Sequence, residues 1–173
     1  MDFKGKIREI RDFPREGINY KDISTLLLDS EAYHEAINEL AKQCKHKQAD
    51  LIACPKARGL TIGAPLAYVL GAGLIVLGNA GRMPEDDVPA WYNSQDFAGE
   101  SMEINREAIK PNSKVLVVDE LLATGRTAAG TIKLIEKLGG NVVGTVFLIE
   151  LTGLGGRVKL TDYDTISLIQ YNY

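Results

Sequence analysis

The longest-reaching pattern in the chain is Val115-Leu116-Val117-Val118, an unbroken apolar run followed by the acidic pair Asp119-Glu120. A short run rich in β-branched residues predicts a strand buried on both faces, with the two acids following at its carboxyl end. A helix is predicted next. Ile132, Leu134, Ile135 and Leu138 supply its apolar positions, and Gly139-Gly140 its stop. The same alternation recurs upstream. Asp29-Ser30-Glu31 offers an N-cap to a helix reaching about residue 45, with Ala36, Ile37, Leu40 and Ala41 on its apolar face. Residues 50–54 predict a short buried strand, 63–70 a helix stopped by Gly71, and 74–77 another strand. Downstream, 141–151 and 164–169 predict two further strands, and 102–104 start one. This order of strands and helices predicts an α/β fold with a parallel sheet and right-handed crossovers.

Other stretches lack a clean period. Residues 4–12 mix charged and apolar positions, and Ile7 and Ile10, three apart, predict a short helix. Residues 12–24 are broken by Pro14 and Gly17 and predict a loop on the core. Residues 78–103 show no sustained period over most of their length. A long irregular stretch of that kind is expected to be disordered or a functional lid. Residues 152–157 form a glycine-rich turn.

Composition narrows the classes. The 173 residues make one domain, 1–173, with enough chain for a single core. A net charge of -3 gives no overall attraction to nucleic acid or to an anionic membrane. No apolar run is long enough to span a bilayer, and the N-terminus lacks the apolar segment of a signal peptide. Cys44 and Cys54 predict a reducing, cytoplasmic setting without a disulfide framework. They have no metal-ligand spacing with His34 and His46, so no metal held by protein ligands is expected.

The candidate chemistry centres on the buried strand. After the acidic pair come the small polar residues Ala123, Thr124, Gly125, Arg126 and Thr127, and then the helix. Ligands of open α/β sheets bind at strand carboxyl ends, and the N–H groups of a helix start favour a phosphate. Carboxylates beside a phosphate site suit hydroxyls or a magnesium ion. Together these features predict a sugar phosphate, although the shape alone also fits an ordinary strand-to-helix turn. The stretch is neither a Walker A loop nor a GxGxxG fingerprint.

The letters are more specific than the shape. Residues 117–127, VVDELLATGRT, resemble the phosphoribosyl pyrophosphate motif of type I phosphoribosyltransferases, and most closely the VDDLLATGGT of the adenine phosphoribosyltransferases. Glu120 stands for the second Asp and Arg126 for the second Gly. Residues 12–24, DFPREGINYKDIS, resemble that family's DFPKPGILFRDIT, a hood over the purine. There Tyr20 replaces Phe, Lys21 replaces Arg and Asn19 replaces an apolar residue. Residues 55–59, PKARG, read alone as a solvated basic turn. They are similar to the family's pyrophosphate loop, IEARG, with Lys56 in place of Glu. Residues 78–84 stand where the family has RKPGKLP. Gly78 and Asn79 there lose two cations and Arg82 keeps the third. Asp96 stands for the Glu associated with proton handling.

The resemblance implies a type I phosphoribosyltransferase-like parallel sheet flanked by helices, with a small hood over about 7–25 and a flexible lid over about 78–103. It implies that residues 123–127 bind the 5′-phosphate, that Asp119 and Glu120 accept from ribose hydroxyls, and that Lys56, Ala57, Arg58 and Gly59 hold pyrophosphate. Asn19, Tyr20, Lys21 and Leu154 would face the base, with Arg82 and Asp96 on the lid. Magnesium would be bound through pyrophosphate and ribose oxygens. The implied activity is purine salvage, adenine plus phosphoribosyl pyrophosphate giving AMP and pyrophosphate, in a homodimer. Two alternatives stay open: another purine, hypoxanthine or guanine, or a nucleotide-binding regulator with impaired turnover.

Overall fold

The computed structural model describes residues 1–79, 91–97 and 100–172, with the backbone alone described for Asn79, residues 91–97, 100–101 and Arg106. Its centre is a five-stranded, wholly parallel sheet in the order β10-β9-β8-β3-β4. The strands are β3 (Leu51–Cys54), β4 (Gly73–Val76), β8 (Lys114–Leu122), β9 (Asn141–Leu151) and β10 (Thr165–Tyr171). Strand β8 is central because its apolar residues serve both faces. Leu116 and Val118 pack on one side with Ile52, and Val115 and Val117 on the other with Ala53 and Phe147. Successive side chains of a strand point to opposite faces, so an unbroken apolar run is what a doubly covered strand needs.

Helices cover both faces. On the first lie α2 (Ser30–Cys44) and α3 (Leu60–Leu70), whose Ile37, Leu40, Ile62 and Leu66 are buried against the sheet. On the second lies α4 (Arg126–Lys137), through Ile132, Leu134 and Ile135. The Asp29 carboxylate caps α2 by accepting from the Ala32 N–H at 3.0 Å, as expected of an acidic N-cap. Gly71, at φ 68°, ends α3. No described helix is long and apolar enough to cross a membrane.

Four expectations are corrected. Residues 4–12 are not a helix. A 3-10 turn over Lys4–Lys6 leads into β1 (Arg8–Ile10), which pairs antiparallel with β2 (Tyr20–Asp22). Ion pairs Arg8–Asp22 and Lys21–Glu9 join the two strands, so cross-strand charge overrides the three-residue spacing of Ile7 and Ile10. Strand β2 thus falls within the stretch 12–24 expected as loop, and a short helix α1 (Ser24–Leu28) follows it. The acidic pair does not follow its strand but lies within it, since β8 runs on through Leu122. Residues 78–103 are not irregular throughout. Strands β5 (Gly78–Asn79), β6 (Trp91–Phe97) and β7 (Glu100–Asn105) form an antiparallel sheet in the order β5-β7-β6.

Candidate active site

Strands β3 and β8 are neighbours and parallel, so the loops after them emerge side by side at the carboxyl edge of the sheet. The loop after β3, residues 55–59, turns into α3. The loop after β8, residues 123–125, turns into α4. A cleft of ≈ 800 Å³ opens between them. Asn19, Tyr20 and Lys21 from the β1–β2 hairpin supply a third wall. Three segments distant in sequence thus meet where open α/β sheets bind ligands.

The acidic pair forms the cleft floor. Asp119 and Glu120 are both buried, and both line the opening. The Asp119 carboxylate accepts the Glu120 N–H at 2.8 Å. Burial pushes its carboxyl up to about 6; that N–H and the Lys56 charge oppose the rise, while the Glu120 charge adds to it. Burial also raises Glu120, opposed by the Arg58 charge and reinforced by Asp22. The 55–59 loop packs tightly on the pair: a Cβ on Gly59 would stand 2.8 Å from Asp119 Oδ1. Two desolvated carboxylates facing a cleft gain from any donor or cation that enters it.

The α4 start forms the second half of the site. Gly125 is its N-cap, at φ 73°, and contributes no side-chain cap to the first-turn N–H groups. Such a terminus favours an anion. A small cavity of ≈ 70 Å³ is lined by residues 121–128 with Asp119 and Phe147. It shares Asp119, Leu121, Ala123 and Thr127 with the larger cleft.

The structure therefore brings together most of the residues singled out in the sequence. Lys56, Ala57 and Arg58 line the large cleft with Asp119, Glu120, Ala123 and Thr127. Thr124, Gly125 and Arg126 line the small one, and Gly59 is the N-cap of α3. Leu154 does not join them. It is half-exposed in the turn after β9, and Leu151 lines the cleft. Arg82 lies outside the described residues. Asp96 lies in β6, and its side chain is outside them as well.

The comparisons with known proteins agree with this geometry. A model of the phosphoribosyl transferase domain matches residues 25–172. The chain belongs to the phosphoribosyltransferase family. It is 66% identical over 173 residues, the whole of both chains, to an adenine phosphoribosyltransferase of Pelotomaculum thermopropionicum. It is 48% identical over 98% of both chains to that of Desulforamulus reducens. The crystal structure of the adenine phosphoribosyltransferase of Thermoanaerobacter pseudethanolicus superposes with a TM-score of 0.90 at 45% identity, covering 97% of each chain. That of Saccharomyces cerevisiae, solved with adenine and an imino-altritol bisphosphate, superposes with a TM-score of 0.85 at 27% identity over 95% of each chain.

The cleft also contains residues to which sequence reasoning gave no binding role. Leu121, Leu151, Leu77 and Gly78 line the cleft. Leu121 is next to last in β8, Leu151 ends β9, and Leu77 and Gly78 follow β4. The carboxyl-end rule applied to every strand, and not only to the one bearing the motif, would have found them.

Proposed function

We propose that this phosphoribosyltransferase transfers the phosphoribosyl group of phosphoribosyl pyrophosphate to adenine, giving AMP and pyrophosphate. One observation carries the reading. The acidic pair, the α4 start and the Arg58 loop share one cleft with the Tyr20 segment, in a chain 66% identical to an adenine phosphoribosyltransferase. The α4 start and Thr127 hold the 5′-phosphate. Asp119 and Glu120 accept from the ribose hydroxyls. Arg58, with Lys56 nearby, takes the pyrophosphate. Tyr20 presents its ring to the planar base. A base nitrogen displaces pyrophosphate at the anomeric carbon through an oxocarbenium-like state, so orientation, charge neutralisation and water exclusion supply the catalysis.

Magnesium fits the donor set. Among the described residues no cluster of three or more His, Cys, Asp or Glu forms a cage for a metal. Two carboxylates beside an open cleft suit an ion that would be bound through pyrophosphate and ribose oxygens. Bound there, magnesium supplies charge neutralisation to the leaving pyrophosphate.

The quaternary and cellular settings belong to the same proposal. Strand β4 is one edge of the parallel sheet. Its Leu74 and Val76 are exposed while Ile75 between them is buried, and Tyr68 and Val69 of α3 are exposed as well. A second copy is the occupant proposed for this apolar face, giving a homodimer. Light scattering that returns the mass of a single chain would overturn it. The two buried free cysteines support a reducing cytoplasm as the setting, and fractionation of cells would test it.

The deciding assay is pyrophosphate release from phosphoribosyl pyrophosphate and magnesium with each purine added in turn. Release with adenine alone is expected. Release with hypoxanthine or guanine instead would favour the second reading, which Asn19 motivates by placing an amide in the cleft wall. No release from folded protein that binds phosphoribosyl pyrophosphate would favour a regulator.

A further inference from the structure

The ion pair between Glu150 and Arg157 lies outside the cleft lining. Glu150 is 2% exposed, near the end of β9. Arg157 grips it with a two-pronged fork: Nε donates to Oε1 at 2.7 Å and Nη2 to Oε2 at 2.8 Å. The Ser167 hydroxyl donates to Oε2 at 2.5 Å and the Gln170 amide to the same oxygen at 3.3 Å, both from β10. The third nitrogen of Arg157 donates to the Thr165 carbonyl at 2.8 Å. Burial alone would raise Glu150, but these donors outweigh it and hold its carboxyl below the usual value. A charge-assisted fork of this kind fixes direction as well as distance.

What the fork fixes is the residue beside Arg157. Gly156 is buried and packs directly on the loop between β8 and α4. A Cβ on Gly156 would stand 2.4 Å from the Ala123 carbonyl oxygen, and one on Gly125 would stand 2.5 Å from the Gly156 carbonyl oxygen. The two backbones are in contact, and the Leu122 side chain closes on Gly156 as well, 2.8 Å from its Cβ position. Residues 123–125 are thus backed by a segment that is itself tied to β9 and β10.

We propose that Glu150 and Arg157 are positioning residues for the 5′-phosphate: through Gly156 they hold the 123–127 loop in its anion-binding shape. The inference rests on the phosphoribosyltransferase reading of that loop. Small displacements of a preorganised loop weaken its contacts to the bound group, so the effect belongs to phosphate-bearing ligands alone.

The test is calorimetric binding of AMP and of adenosine, which differ only in the 5′-phosphate, to the wild type and to Arg157→Met, Arg157→Lys and Gly156→Ala. Arg157→Met and Gly156→Ala are expected to weaken AMP by roughly tenfold or more and to leave adenosine within about twofold. Arg157→Lys is expected to fall between, since an ammonium cannot form the fork. In steady state the KM for phosphoribosyl pyrophosphate rises while that for adenine holds. Should Arg157→Met fail to fold, Gly156→Ala tests the same contact with the ion pair intact. Folded variants that keep the wild-type preference for AMP over adenosine overturn the inference. A folded wild type that binds neither AMP nor phosphoribosyl pyrophosphate overturns the underlying reading and the inference with it.

Discussion

The guanidinium carbon of Arg58 lies 5.5 Å from the centre of the Tyr20 ring. The 55–59 loop and the β1–β2 hairpin therefore touch across the cleft, and the same cation opposes the rise in Glu120. One charge serves an aromatic face and a carboxylate together. Arg58→Lys keeps the charge but loses the planar fork and much of the stacking. It is expected to lower kcat/KM for phosphoribosyl pyrophosphate by on the order of tenfold to a hundredfold, with an unchanged circular dichroism spectrum. Wild-type kinetics in this variant would remove Arg58 from the leaving-group role.

The acidic pair offers a direct test of the proposed mechanism. Replacing Asp119 and Glu120 together by Ala is expected to abolish nucleotide formation while the fold persists. The two carboxylates are desolvated, so the sheet gives up little when they go. Full activity in the double variant would refute the proposed mechanism.

The titration of Asp119 gives a pH dependence with a definite direction. Its folded value, about 6, is above its ordinary 3.8. The folded protein therefore holds a proton that the unfolded chain has already released, and stability falls as pH rises from about 4 to 6. A two-unit shift bounds the loss at ~3 kcal/mol. Asp119→Asn is expected to flatten this decline and to raise the melting temperature at pH 7 in the absence of substrate. Urea midpoints across that window provide the check. A wild type that gains stability over the same interval would contradict the assignment.

The base wall can be tested residue by residue. Tyr20→Ala is expected to raise the KM for adenine by roughly tenfold, the usual size of one lost base-stacking contact. Leu151→Ala should act in the same sense, since Leu151 lines the cleft. Leu154→Ala should change little, because that side chain is half-exposed on the following turn. The reverse ranking of the two leucines in a steady-state comparison would restore Leu154 to the wall.

What could be read from the letters follows from where the structural information lies. The runs at 51–54, 115–118 and 141–151 announce buried strands because a doubly covered strand must be apolar along its length. The loop at 123–127 was legible as a motif and also as a helix start. The β1–β2 hairpin was not legible, because its three-residue strands are charged and held by Arg8–Asp22 and Lys21–Glu9, partners 14 and 12 residues apart. Strand β6 was hidden for a similar reason. Its sequence, WYNSQDF, shows no clean alternation, and its ladder to β7 carries a register shift between Ser94 and Phe97. Leu151 rather than Leu154 reaches the cleft because β9 continues its pairing with β10 through Tyr171 opposite Leu151, a boundary that glycine spacing in the turn does not reveal.

The order β10-β9-β8-β3-β4 also bears on how the chain acquires its binding capacity. Strand β3 meets its neighbour β8 through Leu51 with Val115 and Ala53 with Val117, positions 64 residues apart in the chain. Contacts of such long separation require loop closure before they return any stabilisation, so they form late. The β8–β9 pair is closer in sequence and can assemble around α4 beforehand. A refolding chain would then possess its 123–127 loop before the 55–59 loop stands beside it. Capture of AMP should precede capture of phosphoribosyl pyrophosphate in a stopped-flow refolding experiment, and the interval between them would time the closure of the sheet.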